Sequence, residues 1–233
     1  MNYNIEPIAY IHNNYVEKFG IPRQSGIIKD SISTIVFEKK YQDDNSLRGL
    51  EEYSHIWLLW IFNDKNANKE WSPTVRPPRL GGNKRMGVFA TRSPYHPNGI
   101  GLSCVKIISF EKTVNNGTVI SVEGADLLCG TPIIDIKPYL SFTDCREDAI
   151  CGFAENTKDY ELTVMFDTDI SSIKDEVINE ITQLLKQDPR PSYQDNSDRI
   201  YSMKFGEFDV KFKVDGNYLN VIRIETRTDV KDE

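Results

Sequence analysis

Arginine and histidine set among prolines and glycines give the stretch GVFATRSPYHPNGIGLS, Gly87 to Ser103, the chemistry of an anion-binding loop. Pro94 and Pro97 stiffen its backbone, while Gly99 and Gly101 permit shapes that other residues resist. Such a loop brings main-chain N–H groups close to a ligand, and Arg92 adds a two-pronged grip suited to a carboxylate or phosphate. The competing reading is an arginine satisfied by loop carbonyls. A wider basic island surrounds this loop. From Trp71 through Phe110 no Asp or Glu occurs, whereas Arg76, Arg79, Lys84, Arg85, Arg92 and Lys106 do. The chain as a whole is acidic, with a formal net charge of −7, so the island is a local electrostatic footprint. It suits an anionic partner such as a nucleic acid; a basic surface patch contiguous in sequence is the plainer alternative.

A second concentration of chemistry is GADLLCGTPIIDIKPY, Gly124 to Tyr139, with Asp126, Asp135, Lys137 and Tyr139. Asp135 and Lys137 alternate with Ile134 and Ile136, so their side chains share one strand face. A carboxylate, an ammonium and a phenol there either tune each other's protonation or form a structural ion pair on a barrel wall. Less specific are FGIPRQSG, a turn carrying amide and guanidinium groups, and QDPRPSY, a helix stop. His55 and His96 are candidates for proton transfer or metal ligation, but the three histidines lack ligand spacing, and no metal is expected. Cys104, Cys129, Cys145 and Cys151 show neither CxxC spacing nor the density of a disulfide scaffold, which points to free thiols in a reducing cytoplasm. The Gly-x-Gly-x-x-Gly of a dinucleotide fold is missing, because Cys104 stands where its third glycine would be. There is no phosphate-loop Gly-Lys-Ser/Thr either, so a doubly wound fold is disfavoured.

The 233 residues that must position these groups suffice for one large domain, or for a main domain with a small companion. Hydrophobic residues at 39% and aromatics at 11% supply a real core. No apolar run reaches membrane-spanning length, and MNYNIEPIAYIHNN lacks the basic flank and long apolar segment of a signal peptide. The expected location is the cytoplasm. Short β-branched or aromatic runs dominate the chain to about residue 166: IEPIAYIH, STIVFEK, HIWLLWIF, MGVFATR, SCVKIISFEK, GTVISVEGA, TPIIDIKPY and YELTVMF. The Asn-Gly pair in VNNGTV predicts a tight hairpin between two of them. Beyond Phe166 the texture changes. SSIKDEVINEITQLLKQD spaces Ile173, Val177, Ile178, Ile181, Leu184 and Leu185 as one helical face, with Ser171 or Ser172 available as its cap. RIYSMKF, FDVKFKV and YLNVIRIE then alternate as strands, the last pair joined by a turn at DGN. The expected fold is therefore mainly β: an antiparallel β-barrel over residues 1–168 and a small α+β domain over 169–233.

Four clusters in this order are similar to the TsaA-like (TrmO) family of tRNA methyltransferases. The matching segments are EKFGIPRQSG, RGLEEYSHIWLLWIF, WSPTVRPPRLGGNKRMGVFATRSPYHPNGIGLS and DLLCGTPIIDIKPY, with DPRPSY in the tail. The resemblance spans nearly the whole chain. It implies a β-barrel that binds S-adenosylmethionine without a Rossmann fold, a small C-terminal domain, and a homodimer whose cofactor pocket is completed at the subunit interface. The implied reaction is methylation of N6 of threonylcarbamoyladenosine, 3′ of the anticodon in threonine tRNA.

Carried over by position, the implied cofactor residues are Gln24, Ser25, Gly26, Asn63, Asp64, Arg92, Leu102, Glu123, Gly124, Ala125 and Asp126. Asp135 or Tyr139 is expected to accept the N6 proton, with Lys137 setting their charge. Arg76, Arg79, Lys84, Arg85 and Arg190 are expected to hold the phosphates of the anticodon arm. The chain departs from the family's Arg-Pro-Asn-Pro-Ile-Gly at His96 and Gly99, which removes a permanent charge and loosens the loop, and Cys129 stands where an acidic residue is common. A noncatalytic RNA-binding protein and a methyltransferase of small molecules are the rival functions.

Overall fold

In chain order the strands are β1 (Ala9–His12), β2 (Ile32–Phe37), β3 (His55–Ile61), β4 (Thr74–Val75), β5 (Met86–Gly87), β6 (Ile100–Thr113), β7 (Gly117–Glu123) and β8 (Pro132–Pro138). A short turn of helix, α1 (Ser141–Asp144), and β9 (Thr163–Phe166) follow, then α2 (Asp175–Lys186), β10 (Tyr201–Phe205), β11 (Phe208–Asp215) and β12 (Tyr218–Thr226). The computed structural model describes residues 3–62, 71–77, 80, 84–157, 160–190 and 196–228. Six strands join edge to edge in the ring β1-β2-β7-β6-β3-β8, and β8 pairs back to β1. Every pairing in that ring is antiparallel. The Asn-Gly turn joins β6 to β7 as expected, with Gly117 at φ +63 supplying the left-handed residue.

Alternation builds the barrel interior. In β3, Ile56, Leu58 and Trp60 point inward and are buried, while His55, Trp57, Leu59 and Ile61 lie on the outer face. They meet Ile11, Ile35, Val105, Ile120, Val122 and Ile133 from the other strands of the ring. Each such aliphatic side chain contributes about 1.5–3 kcal/mol when removed from water.

A second sheet, ordered β10-β11-β12-β9, carries α2 on one face. Strand β9 runs parallel to β12, from Tyr218 opposite Thr163 to Val221 opposite Phe166. The expected boundary near residues 167–170 left YELTVMF with the barrel; its pairing puts this strand in the second sheet instead. Its partner lies more than fifty residues away, and a local pattern cannot name a partner at that distance. Two other expectations are corrected. MGVFATR forms only the two-residue β5, paired to β4 outside the barrel, and Val88–Ala90 tightens into a 3-10 turn in which Thr91 N–H donates to the Val88 carbonyl. Neither Ser171 nor Ser172 caps α2. The helix starts later, behind Lys174, so Ile173 precedes it, and Asp175 and Glu176 in the first turn complement its dipole.

The two cores are linked by the segment between β1 and β2. Tyr15, Phe19, Ile21 and Ile28 from that segment pack into the core formed by α2 and the second sheet. Phe19 stacks on Phe212 at 6.2 Å, Glu17 accepts the Lys204 backbone N–H at 2.8 Å, and Gly206 N–H donates to the Asn14 carbonyl. The chain thus leaves the barrel, is pinned against the small domain, and returns.

Candidate active site

The segment pinned in this way forms one wall of a cavity of about 430 Å³. Lys18, Ile21, Pro22, Arg23 and Gln24 line it from that side. Trp60 and Phe62 at the end of β3, the loop from Thr91 to Pro94 with His96, and Ile100 to Leu102 of β6 line the other. Asp126, Leu128 and Thr131 complete it.

The turn Gln24-Ser25-Gly26 is clamped between the ends of β6 and β7. Ser25 Oγ accepts the Cys104 N–H at 3.2 Å, and Gly26 N–H donates to the Gly124 carbonyl at 2.8 Å. Gly26 and Gly124 both have left-handed φ, +78 and +82. A Cβ on Gly124 would sit 3.1 Å from the Gly26 Cα, so the contact needs glycine by space as well as conformation. With the turn fixed, Gln24 Oε1 accepts from Arg92 Nη1 at 2.5 Å. Arg92 is therefore not consumed by loop carbonyls; it is aimed at the cavity beside a neutral amide, with donors left for an anion.

Asp126 brings the opposite charge. Its Oδ1 accepts the Ser103 hydroxyl at 2.5 Å, and Ser103 in turn accepts Trp60 Nε1–H at 2.9 Å. Burial pushes the Asp126 carboxyl up, against the lowering influence of Ser103, of backbone N–H groups and of the Arg92 charge. A positive ligand group beside it would favour its ionised form. His96 donates from Nε2 to the Thr91 carbonyl at 2.9 Å and stands edge-on to Phe89, which is 74% exposed.

The implied cofactor residues thus divide. Gln24, Arg92, Leu102 and Asp126 line the cavity; Ser25, Gly26, Gly124 and the fully buried Ala125 build the frame behind it. Glu123 points elsewhere and accepts from Lys106 at 3.3 Å. Asn63, Asp64 and Arg79 lie outside the described residues. Sequence reasoning did not single out Lys18, Arg23, Trp60, Phe62, Ser103, Leu128 or Thr131; only for Arg23 was there a signal, the guanidinium of FGIPRQSG.

Two groups of expected residues stand away from the cavity of their own chain. Asp135 and Lys137 do pair, at 2.5 Å, but on the outer face opposite Leu59 and Trp57, and neither lines the cavity. Asp135 borders a separate cavity of about 510 Å³ with Ile8, Phe37, Tyr41 and Leu47. Tyr139 packs against Trp57 at 5.7 Å and His55 at 6.1 Å, also away from Arg92, and partial desolvation pushes its phenol up, so it stays protonated at neutral pH. The cause is register: Ile133 faces inward opposite Trp60, and the irregularity in the β3–β8 pairing between Leu59 and Trp60 then turns Asp135 and Lys137 outward. Arg190 is the second. Its guanidinium holds both carboxylate oxygens of Asp188, at 2.9 and 3.2 Å, and lies over the Tyr201 ring. Both side chains are 7% exposed, so Arg190 presents no charge to a phosphate. Arg76, Lys84 and Arg85 are exposed, as a nucleic-acid contact requires, although Arg85 also donates to Thr74 Oγ1.

A six-stranded antiparallel ring with an electrostatically two-sided cavity at its edge defines a ligand-binding β-barrel of non-Rossmann type. Residues 10–145 match the tRNA-methyltransferase O N-terminal domain and residues 160–227 the TrmO C-terminal domain. The chain belongs to this family. It is 36% identical over 236 residues to the tRNA (adenine(37)-N6)-methyltransferase of Escherichia coli K12, covering 97% of this chain and 99% of that one. A protein of the same description from Eikenella corrodens is 45% identical over 165 residues, 70% of this chain and 92% of that one. A Pseudomonas aeruginosa relative named for S-adenosylmethionine-dependent methyl transfer is 37% identical over 219 residues, 90% of this chain and 92% of that one. The crystal structure of TrmO from P. aeruginosa superposes with a TM-score of 0.78 at 30% identity, over 97% of this chain and 98% of that one.

Proposed function

We propose that the chain is a tRNA methyltransferase that transfers a methyl group from S-adenosylmethionine to N6 of adenosine 37. The observation that carries this reading is the presence of Arg92 and Asp126 in the lining of one apolar-walled cavity, on a barrel of this family. Those residues suit the cofactor: Arg92 for its carboxylate, the buried Asp126 carboxyl for its positive charge, and Trp60, Phe62 and Leu102 for its apolar parts. When bound, S-adenosylmethionine supplies an electrophilic methyl group on a sulfonium, and the transfer is an in-line displacement. The protein's part is to orient that group, to keep water out with Trp60 and Phe62, and to present the base. The exposed Phe89 ring, in contact with the cavity-lining His96, offers a stacking surface for an unpaired base.

The finer reading is that the target is the threonylcarbamoyl-modified adenosine of threonine tRNA, in the cytoplasm, and that the active form is a homodimer. Exposed Ile100 and Leu102, 41% and 48%, on the outer face of β6 support the dimer, since they extend the apolar strip formed by Leu59 and Trp57. In a dimer that joins this face to the cavity of the second copy, Asp135 would accept the N6 proton with Lys137 beside it. Cofactor affinity of Asp135→Asn and Tyr139→Phe is then expected to stay within about twofold of wild type, while turnover of Asp135→Asn falls about a hundredfold, the scale of general-base catalysis. Full turnover in both, with native circular dichroism, would retire the assignment.

Incubating the protein with labelled cofactor and three substrates tests the reaction: threonylcarbamoylated tRNA, unmodified tRNA, and no RNA. Methyl incorporation into the modified RNA alone is the expected result. Incorporation without RNA would favour a small-molecule enzyme, and RNA binding without incorporation a noncatalytic one. RNA affinity should fall steeply with salt. Arg76→Gln with Lys84→Gln should lower the slope of log K against log salt by about 1.4, at about 0.7 per phosphate contact, and leave cofactor titrations unchanged.

A further inference from the structure

Arg190 and Asp188 sit in the small domain, yet their contacts run unbroken to the cavity. The Asp188 carbonyl accepts the Arg23 guanidinium, the Arg23 carbonyl accepts Gln24 Nε2 at 2.6 Å, and Gln24 Oε1 accepts Arg92 at 2.5 Å. Asp188 takes a left-handed φ of +49, which an aspartate tolerates better than most residues but which still needs external support. Its carboxylate is gripped by Arg190 through two nitrogens, and Arg190 also caps it from the backbone at 3.2 Å. The Tyr160 hydroxyl donates to it as well, at 3.2 Å. This support fixes the direction of the Asp188 carbonyl, and therefore the place where Arg23 can stand.

We infer that Arg190 is a positioning residue for the cofactor cavity: through Asp188, Arg23 and Gln24 it sets the orientation of Arg92, so the small domain governs how tightly the cofactor is held. The inference rests on the cavity being the cofactor site, as proposed above. It assigns a different job to the basic residue of DPRPSY from the phosphate contact that its charge suggested. Groups sharing one hydrogen-bond network lose affinity together, not independently.

The test is calorimetric titration of the full-length chain with S-adenosylmethionine, in a cycle of Arg23→Leu, Arg190→Leu and the double variant. Each single substitution is expected to weaken binding about tenfold, and the double no more than about twentyfold, as for coupled groups. In turnover assays the Michaelis constant for the cofactor should rise by a similar factor, with kcat at saturation within about threefold of wild type, a split that a loosened fold does not produce. A folded Arg190→Leu protein with wild-type affinity overturns the inference, and so does a double variant that loses the product of the two factors. If Arg190→Leu does not fold by circular dichroism, Arg190→Lys takes its place in the cycle, keeping the charge without the two-pronged grip, and the same two results overturn the inference. Wild-type protein that takes up no cofactor overturns the functional reading itself; intact wild-type binding with an unchanged Arg190 variant overturns this inference alone.

Discussion

Gly101→Ala is expected to lower the thermal midpoint by roughly 2–12 °C and to abolish most cofactor binding, as read by differential scanning calorimetry and by titration. Gly101 faces into the barrel directly across from Trp60 in the β3–β6 pairing, and the indole occupies the space a side chain there would need. A Cβ there would run into the indole carbons Cε2, Cζ2 and Cδ2, the last of them at 2.6 Å, far inside contact distance. The ring cannot retreat easily, because Phe62 holds it from the side at 4.3 Å between centroids. Overpacking of this kind costs about 1–3 kcal/mol, and a domain of this size loses about 2–4 °C for each. The functional loss follows from the same displacement. When the indole moves, Nε1 leaves Ser103, and Ser103 is the donor that orients the Asp126 carboxyl. Pairing Gly101→Ala with Trp60→Leu should return much of the stability and none of the affinity. Recovery of both by the double variant would show that Trp60 does not position Asp126.

Asp126→Asn should move two measurements in opposite directions. Without ligand, the burial that raises the Asp126 carboxyl makes its ionised form costly. The sign follows from linkage: a carboxyl whose pKa is raised on folding contributes stability below its unfolded value, and loses that contribution as pH rises through the folded one. At neutral pH the asparagine variant is therefore expected to melt no lower than wild type. Cofactor binding responds the other way. A positive ligand group selects the carboxylate, so wild-type affinity should climb as pH rises from the ordinary carboxylate range through the raised value. The variant should show no such climb and bind about 10–100-fold more weakly at neutral pH, the scale of a lost charge-assisted hydrogen bond. An Asp126→Asn protein whose affinity matches wild type across that pH range would remove Asp126 from the cofactor site.

What the sequence disclosed, and where it stopped, follows from the reach of each signal. The alternation in HIWLLWIF reports a face-to-face difference in burial, which is local, so β3 and its inward residues were readable at once. Hairpins were readable because Asn-Gly and Asp-Gly-Asn carry their own turn geometry. Partner choice is not local. YELTVMF looks like a strand in either sheet, and only its parallel pairing with β12 decides between them. Charge is a still weaker guide to exposure. Arg92 and Arg190 have the same side chain within similar Pro-rich surroundings, yet one faces a cavity and the other is locked on Asp188. Asp135 and Lys137 were correctly expected to share a face, but alternation alone could not say which face that was. Arg23 gains its meaning only from Asp188 beyond α2, and its neighbour segment from Lys204 of β10, which no window of neighbouring residues contains.

The pinning of the segment between β1 and β2 bears on when the site can exist during synthesis. Residues 14–24 leave the ribosome early, but the surface that fixes them arrives late: Glu17 waits for Lys204, 187 residues on, and Arg23 for Asp188, 165 residues on. All six strands of the ring precede residue 139, so they are available for pairing much sooner. At ordinary rates of about 5–20 residues per second, several seconds separate the last strand of the ring from the partner of Glu17. Through that interval Phe19 and Ile21 have no core to enter. The cavity is thus completed well after the barrel that carries it, although one of its walls is written near the beginning of the chain.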